Sequence, residues 1–196
     1  ETSCMQIAII SDLHSNTKAL KKVLRHIRDV APQAPIVCLG DLYECTVSKK
    51  KAAFIRDMSL QDAAITSQKF EQHLQFLTVR GNQEERIAKV TGLAQFTSYP
   101  ETIEIDNALF IHGHQFSWTP EWTAIFPKYA HEIIFFGHSH QAAYYVDGER
   151  HVVKHGTTIT VEKKQLFINV GSVVDHYEWA LYDTGIKTVT FQKAHA

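Results

Sequence analysis

Cysteine is scarce, net charge is close to nil and long apolar runs are lacking, and each shortage removes a class of protein. Cys4, Cys38 and Cys45 are the three cysteines among 196 residues. They form neither an even disulfide framework nor a CxxC zinc pattern, so a reducing, cytoplasmic setting is expected. The formal net charge of −1 offers no global electrostatic case for coating nucleic acid or an anionic membrane; a local basic groove stays open, and nucleic acid with it. No stretch of about 18 apolar residues could span a bilayer, so no membrane partner is expected. The start of the chain lacks the basic-then-apolar pattern of a signal peptide, and Glu1 to Cys4, ahead of Met5, are set aside as an appended or processed remnant. Internal repeats and low-complexity tracts are lacking as well.

What is present suits one α/β domain over residues 1–196, with 44% hydrophobic and 21% charged residues and enough chain to bury a core. Gln6 to Ile10 reads as a strand, followed by a helix from Thr17 to Val30 that Asn16 caps and that buries Leu20, Val23, Leu24, Ile27 and Val30 along one stripe. Ile36 to Leu39 and Leu74 to Val79 read as further strands, with a helical pattern over Lys49 to His73 whose second half has Ser59-x-x-Asp62 as its start signal. Thr102 to Ile105 and Leu109 to Ile111 form a hairpin, Thr119-Pro120 opens a helical segment and Ile133 to Phe136 is a buried strand; after Gln141 come short β runs with turns at Asp147-Gly148 and Thr184-Gly185. This order predicts two packed, mixed β-sheets with helices outside, a four-layer α/β/β/α sandwich.

Successive apolar runs end in polar groups able to bind metal: Asp12 and His14, Asp41, Asn82, and His138 with His140. Ligands of open α/β sheets bind beyond the carboxyl ends of the strands, so these residues are expected at one rim. Taken singly, Asp12 and His14 also fit a cap and a surface residue, Asp41 a helix cap and Asn82 an Asx turn. His112-Gly113-His114 and Gly137-His138-Ser139-His140 are harder to read that way, because each sets two imidazoles directly after an apolar strand. The donors are oxygen and imidazole nitrogen with no thiolate, which suits Mn, Fe, Zn or Ni.

Ser-Asp-Leu-His-Ser-Asn, Gly-Asp-Leu, Gly-Asn-Gln-Glu, Ile-His-Gly-His and Gly-His-Ser-His, in that order, resemble the five signatures of the calcineurin-like metallophosphoesterases, particularly their small prokaryotic members. Asn169-Val170-Gly171-Ser172 is similar to an Asn-Pro-Gly-Ser segment of those members. The resemblance runs from Gln6 to Asp183 and is poorest at residues 43–73, where a helical insertion or cap is expected. It implies one cation held by Asp12, His14, Asp41 and His140 and a second by Asp41, Asn82, His112 and His138, with Asp41 bridging and manganese the favoured metal. It further implies a phosphoesterase, diesters favoured over monoesters, in which the two ions share a hydroxide that attacks a small phosphate ester, a nucleotide among the candidates. A homodimer is compatible with it. The alternative is a non-catalytic interaction scaffold on the same fold, against which the complete set of seven ligand-competent positions argues.

The motif departs where many relatives carry a histidine thought to protonate the leaving group: Gln83 stands there and has no such proton to give. Either His114 substitutes, or leaving groups of low pKa are preferred, with Gln83 left to orient substrate. Arg80 is read as pairing locally or meeting phosphate. Lys49, Lys50 and Lys51 read as a solvated face, and Trp118 and Trp122 as core aromatics or the wall of a substrate pocket. His26, His73, His131, His151, His155, His176 and His195 follow no ligand spacing and are read as structural or exposed.

Overall fold

Strand β1 (Gln6–Ile10) is apolar at four consecutive positions, and all four are buried in the computed structural model, which describes residues 4–195. Ala8 and Ile10 join a cluster with the helices, Ile7 and Ile9 a cluster with a second sheet, as befits a strand covered on both faces. Glu1 to Ser3, part of the segment set aside ahead of Met5, lie outside the described residues. Asn16 caps α1 (Thr17–Val30) by accepting from the Ala19 N–H at 3.0 Å. Leu20, Val23 and Ile27 are buried along it, while Val30 at the end of the predicted stripe is exposed.

After β2 (Ile36–Cys38), the helical pattern of residues 49–73 resolves into three single turns, α2 (Lys49–Ala52), α3 (Leu60–Ala63) and α4 (Gln68–Glu71). Each begins at a serine, Ser48, Ser59 or Ser67, whose hydroxyl accepts a backbone N–H three residues on. Serine favours caps over helix interiors, so the expected start at Ser59 is present, and the caps at Ser48 and Ser67 with it cut the helical pattern into turns shorter than its two expected halves. The turns still pack Ala52, Ala63 and Phe70 into the core shared with α1. Strand β3 (Leu77–Thr78) is shorter than predicted, and α5 (Asn82–Thr91) follows, a helix the sequence reading passes over. Its end signals are present: Glu84 Oε1 accepts the Gly81 N–H at 3.1 Å, and Gly92 closes the helix at φ 73°.

The predicted hairpin is β4 (Thr102–Ile105) against β5 (Ala108–Ile111). Thr119-Pro120 opens no helix but turns a second hairpin, β6 (Ser117–Trp118) and β7 (Ala124–Ile125). The Thr119 hydroxyl accepts from the Thr123 N–H, and Trp122 takes a left-handed φ of 61°, which a helix forbids. Then come β8 (Ile133–Phe136), β9 (Ala143–Val146), β10 (Glu149–Val152), β11 (Thr158–Thr160), β12 (Leu166–Asn169), the short turn α6 (Val173–His176), β13 (Glu178–Asp183) and β14 (Thr188–Lys193). Asp147-Gly148 turns β9 into β10 with both residues left-handed, at φ 52° and 77°, as a two-residue hairpin demands.

These strands make two six-stranded sheets, β11-β14-β13-β1-β2-β3 and β10-β9-β12-β8-β5-β4. Both are mixed: β1, β2 and β3 run parallel in the first, and β12, β8 and β5 in the second, with antiparallel neighbours beyond. Between them Ile7, Ile9 and Val37 meet Phe110, Phe135 and Ile168. Helices cover the outer face of the first sheet, and Phe116, Trp118, Phe126 and Tyr129 cover that of the second. Among the described residues no helix is long and apolar enough to cross a membrane.

Candidate metal centre

The parallel strands β1, β2, β3, β5 and β8 all release their chains at one rim, and the seven expected ligands gather there. Asp12, His14 and His140 form one group of converging donor atoms and Asp41, His112 and His138 another. Asn82, first residue of α5, joins the second: its Oδ1 lies 2.9 Å from His112 Nε2 and 3.1 Å from His138 Nδ1. Asp41 stands between the groups, with Oδ2 3.5 Å from His14 Nε2 and 3.2 Å from His112 Nε2. Its other oxygen accepts the Gln83 N–H at 2.9 Å, which fixes the carboxylate plane.

The convergence of Asp12 and His14 does not come from strand alternation, as i and i+2 spacing suggests. Strand β1 has already ended, and both residues are left-handed, at φ 57° and 45°. Asp41, His138 and His140 share that conformation, at φ 56°, 71° and 64°. Non-glycine residues held there cost of order 1–3 kcal/mol each and cluster at functional sites. Backbone bonds from Asp12 N–H to the Gly40 carbonyl, 3.0 Å, and from Leu13 and His14 N–H to the Asp41 carbonyl hold the two loops in place. Across the rim, the His138 N–H donates to Asp12 Oδ2 at 3.0 Å, and the Asn169 amide donates to the Gly137 carbonyl and Ser139 hydroxyl. A side chain at Gly137 would meet Asp12 Oδ2 at 2.6 Å, so only glycine lets the loops approach so closely.

Three of the four imidazoles have Nδ1 engaged away from the centre. His14 Nδ1 lies 2.6 Å from Glu44 Oε2, His140 Nδ1 2.6 Å from Asp175 Oδ2, and His112 Nδ1 2.7 Å from the Leu39 carbonyl. A carbonyl only accepts, so His112 Nδ1 carries a hydrogen and Nε2 is the ring atom turned toward the centre, the arrangement that orients metal-ligating histidines. Glu44 and Asp175 are missed by sequence reasoning. The Ser172-x-x-Asp175 cap signal hints at the second; the first leaves no local trace.

Charge in the site is tightly coupled. Burial works against charging His14, yet the neighbouring carboxylates of Asp12 and Asp41 lift it to about 9. Burial is likewise overcome at His112, which Asp41 and Asp12 raise to about 10. For His138, burial and then repulsion from His112 both act downward, to about 4. Burial would raise Asp12, but His112, His14 and His140 hold it well below the usual carboxylate range. The carboxylates thus attract positive charge into a buried place, and Asp12 Oδ1 and His14 Nε2 are buried there with no hydrogen-bond partner. Buried polar atoms seldom lack one. Cations would satisfy both, and the oxygen and nitrogen donors fit divalent transition metals.

The remaining predicted residues lie close by in different settings. His114 Nε2 pairs with Glu85 Oε1 at 3.1 Å, its ring 5.3 Å from that of His112. Gln83 is buried, and its Oε1 accepts the Cys45 N–H at 2.8 Å rather than facing the cleft. Arg80 pairs with Glu85 at 3.3 Å and donates to the Thr97 and Tyr99 carbonyls. Glu84, fully buried, accepts from the Asp41 N–H at 2.7 Å as well as from Gly81; burial and the charge of Asp41 push its carboxyl up to about 8.

Residues 5–185 match the sequence model of the calcineurin-like phosphoesterase superfamily domain. Uncharacterized protein MJ0912 of Methanocaldococcus jannaschii is 27% identical over 184 residues, spanning 85% of this chain and 75% of that protein. Among solved structures, a metallophosphoesterase from Sphaerobacter thermophilus superposes with a TM-score of 0.66 at 20% identity, over 98% of this chain and 89% of that one; this likeness speaks for the fold.

Proposed function

The chain belongs to the calcineurin-like phosphoesterase superfamily, and on that premise we propose that it is a binuclear metal-dependent phosphoesterase that prefers diesters to monoesters. The observation carrying this reading is the single carboxylate oxygen, Asp41 Oδ2, that faces both groups of imidazoles. In this assignment Asp12, His14, Asp41 and His140 hold one ion and Asp41, Asn82, His112 and His138 the other. Manganese is the assigned metal, a choice consistent with the oxygen and nitrogen donors. Bound, the ions supply Lewis acidity toward phosphoryl oxygens and lower the pKa of water.

The protein's own groups supply geometry and proton handling. Glu44, Asp175 and the Leu39 carbonyl aim three imidazoles inward. Gln83 acts as a positioning residue, through its N–H on Asp41 and its side chain on the Cys45 N–H. His114, beside His112 and paired with Glu85, is the group assigned to protonate the leaving oxygen, an aid worth on the order of 10²–10⁴ in rate and most needed by poor leaving groups. Residues 43–73 border the centre through Glu44 and through Ile65, whose carbonyl accepts from Ser15, and we assign them the role of a cap. The preference for diesters is in keeping with a cleft of about 410 Å³ beside His138 and His140.

The test is a paired assay of p-nitrophenyl phosphate and its bis ester, with manganese and with chelator. Metal-dependent turnover faster on the bis ester is expected, and Asp41→Asn, which keeps an oxygen for the Gln83 N–H, should abolish it in a folded protein. No turnover of either ester with manganese would favour an interaction scaffold instead, and turnover unchanged by chelator would refute the metal dependence.

A further inference from the structure

Trp122 stands at the tip of the β6–β7 hairpin, beside the metal-capable cluster, and is 47% exposed. Its φ of 61° lies where a bulky residue is an outlier, whereas glycine or asparagine would turn the same hairpin with little strain. The conformation is nonetheless fixed: the Trp122 N–H donates to the Thr119 carbonyl at 2.9 Å, and the Trp122 carbonyl accepts from Arg150 Nη1 at 3.4 Å. The indole borders Trp118 and His138, with ring centroids 5.9 Å from each. A large apolar residue, half exposed, is therefore held in a strained backbone pose at the edge of a polar centre.

That ring lines a cleft of about 410 Å³ together with His138, His140, Gln141, His176 and Asp175, whose carboxylate is engaged by His140 at 2.6 Å. A second hollow, about 330 Å³, shares His140, Gln141 and His176 and adds Arg150 and Lys193. The carboxylate in this hollow, Glu178, is engaged by His155 at 2.8 Å. The ion pairs of arginine and lysine among the described residues are Arg80–Glu85, Lys164–Asp147 and Lys187–Glu132, so Arg150, which donates to the Gln141 side chain at 3.5 Å, and Lys193 face no carboxylate partner among those residues. An aromatic platform, then two cationic side chains, runs outward from the metal-capable cluster.

We propose that this cleft takes a nucleotide: the base stacks on Trp122, and a second phosphate reaches Arg150 and Lys193. The proposal rests on the phosphoesterase reading of the centre and names its substrate class. Thymidine 5′-(p-nitrophenyl phosphate) and methyl p-nitrophenyl phosphate share a leaving group, so their kcat/KM ratio on the manganese-loaded protein reports the nucleoside alone. Trp122→Ala should lower that ratio about tenfold, mainly through KM, the scale at which an aromatic platform acts on a base; Trp122→Phe should retain most of it. Quenching of tryptophan fluorescence by AMP and ADP probes the cleft without turnover: ADP should bind more tightly than AMP, and Arg150→Gln should remove the difference. A ratio unmoved by Trp122→Ala, together with nucleotide binding that neither Trp122→Ala nor Arg150→Gln alters, would overturn the proposal. If neither ester is hydrolysed, the phosphoesterase reading fails, and the fluorescence result alone decides whether the nucleotide cleft stands.

Discussion

Replacing Asp175 with asparagine removes a negative charge 2.6 Å from His140 Nδ1 while changing little else. The Asp175 side chain is 52% exposed, so no cavity opens, and its backbone N–H keeps the Ser172 hydroxyl at 3.1 Å. What is lost is the group that orients His140 and strengthens its Nε2 as a donor. Loss of such an outer carboxylate weakens metal affinity by roughly 10- to 100-fold, about 1.4–2.7 kcal/mol. A partial offset follows from protons: despite burial, Asp12 and Asp175 raise the pKa of His140, so the variant also suffers less proton competition for that nitrogen. The offset fades as pH rises, and the deficit should therefore grow from neutral to alkaline pH. Competition of manganese against a fluorescent chelator measures it. One ion should be weakened and the other nearly untouched, because the second group is oriented through Leu39 and Asn82. Equal weakening of both ions, or none, would refute the reasoning.

Three further outcomes are expected. In the metal-free protein His14 at about 9 and His112 at about 10 lie above an unfolded value near 6.5, so their stabilisation is complete below about pH 6.5 and is lost as pH rises through about 9–10; a melting temperature flat across that window in chelator would contradict this. Glu84→Ala strands the Asp41 and Gly81 N–H groups at about 1–3 kcal/mol each, whereas Glu84→Gln keeps an oxygen for them and avoids ionising a carboxyl raised to about 8; urea unfolding should rank glutamine well above alanine, and equal stability would count against the brace. Gly137→Ala places a methyl 2.6 Å from Asp12 Oδ2 and should abolish manganese binding in a chain that still gives a folded circular-dichroism spectrum; retained binding would mean the two loops are not locked together.

The parts legible in the sequence are those written in local signals. Asn16 and a single apolar stripe mark α1, Asp147-Gly148 marks a hairpin, and β1 and β8 are unbroken apolar runs that end in metal-capable residues. Where local signals compete, a helical reading misleads: serine caps at Ser48 and Ser67, beside the expected one at Ser59, cut residues 49–73 into single turns, and a left-handed Trp122 makes a hairpin where Thr119-Pro120 reads as a helix start. The seven metal-capable positions are legible as strand ends, but not the backbone that aims five of them through positive φ. Nor are the carboxylates behind the imidazoles, because Glu44 lies 30 residues from His14 and Asp175 lies 35 from His140 in sequence; only the folded chain brings them together.

Anomalous diffraction at the manganese edge, from crystals of the metal-loaded protein, tests the central assignment most directly. Two peaks are expected per chain, one among Asp12, His14 and His140 and the other among Asn82, His112 and His138, with Asp41 touching both. No peak at this rim, or a single one away from Asp41, would contradict the account.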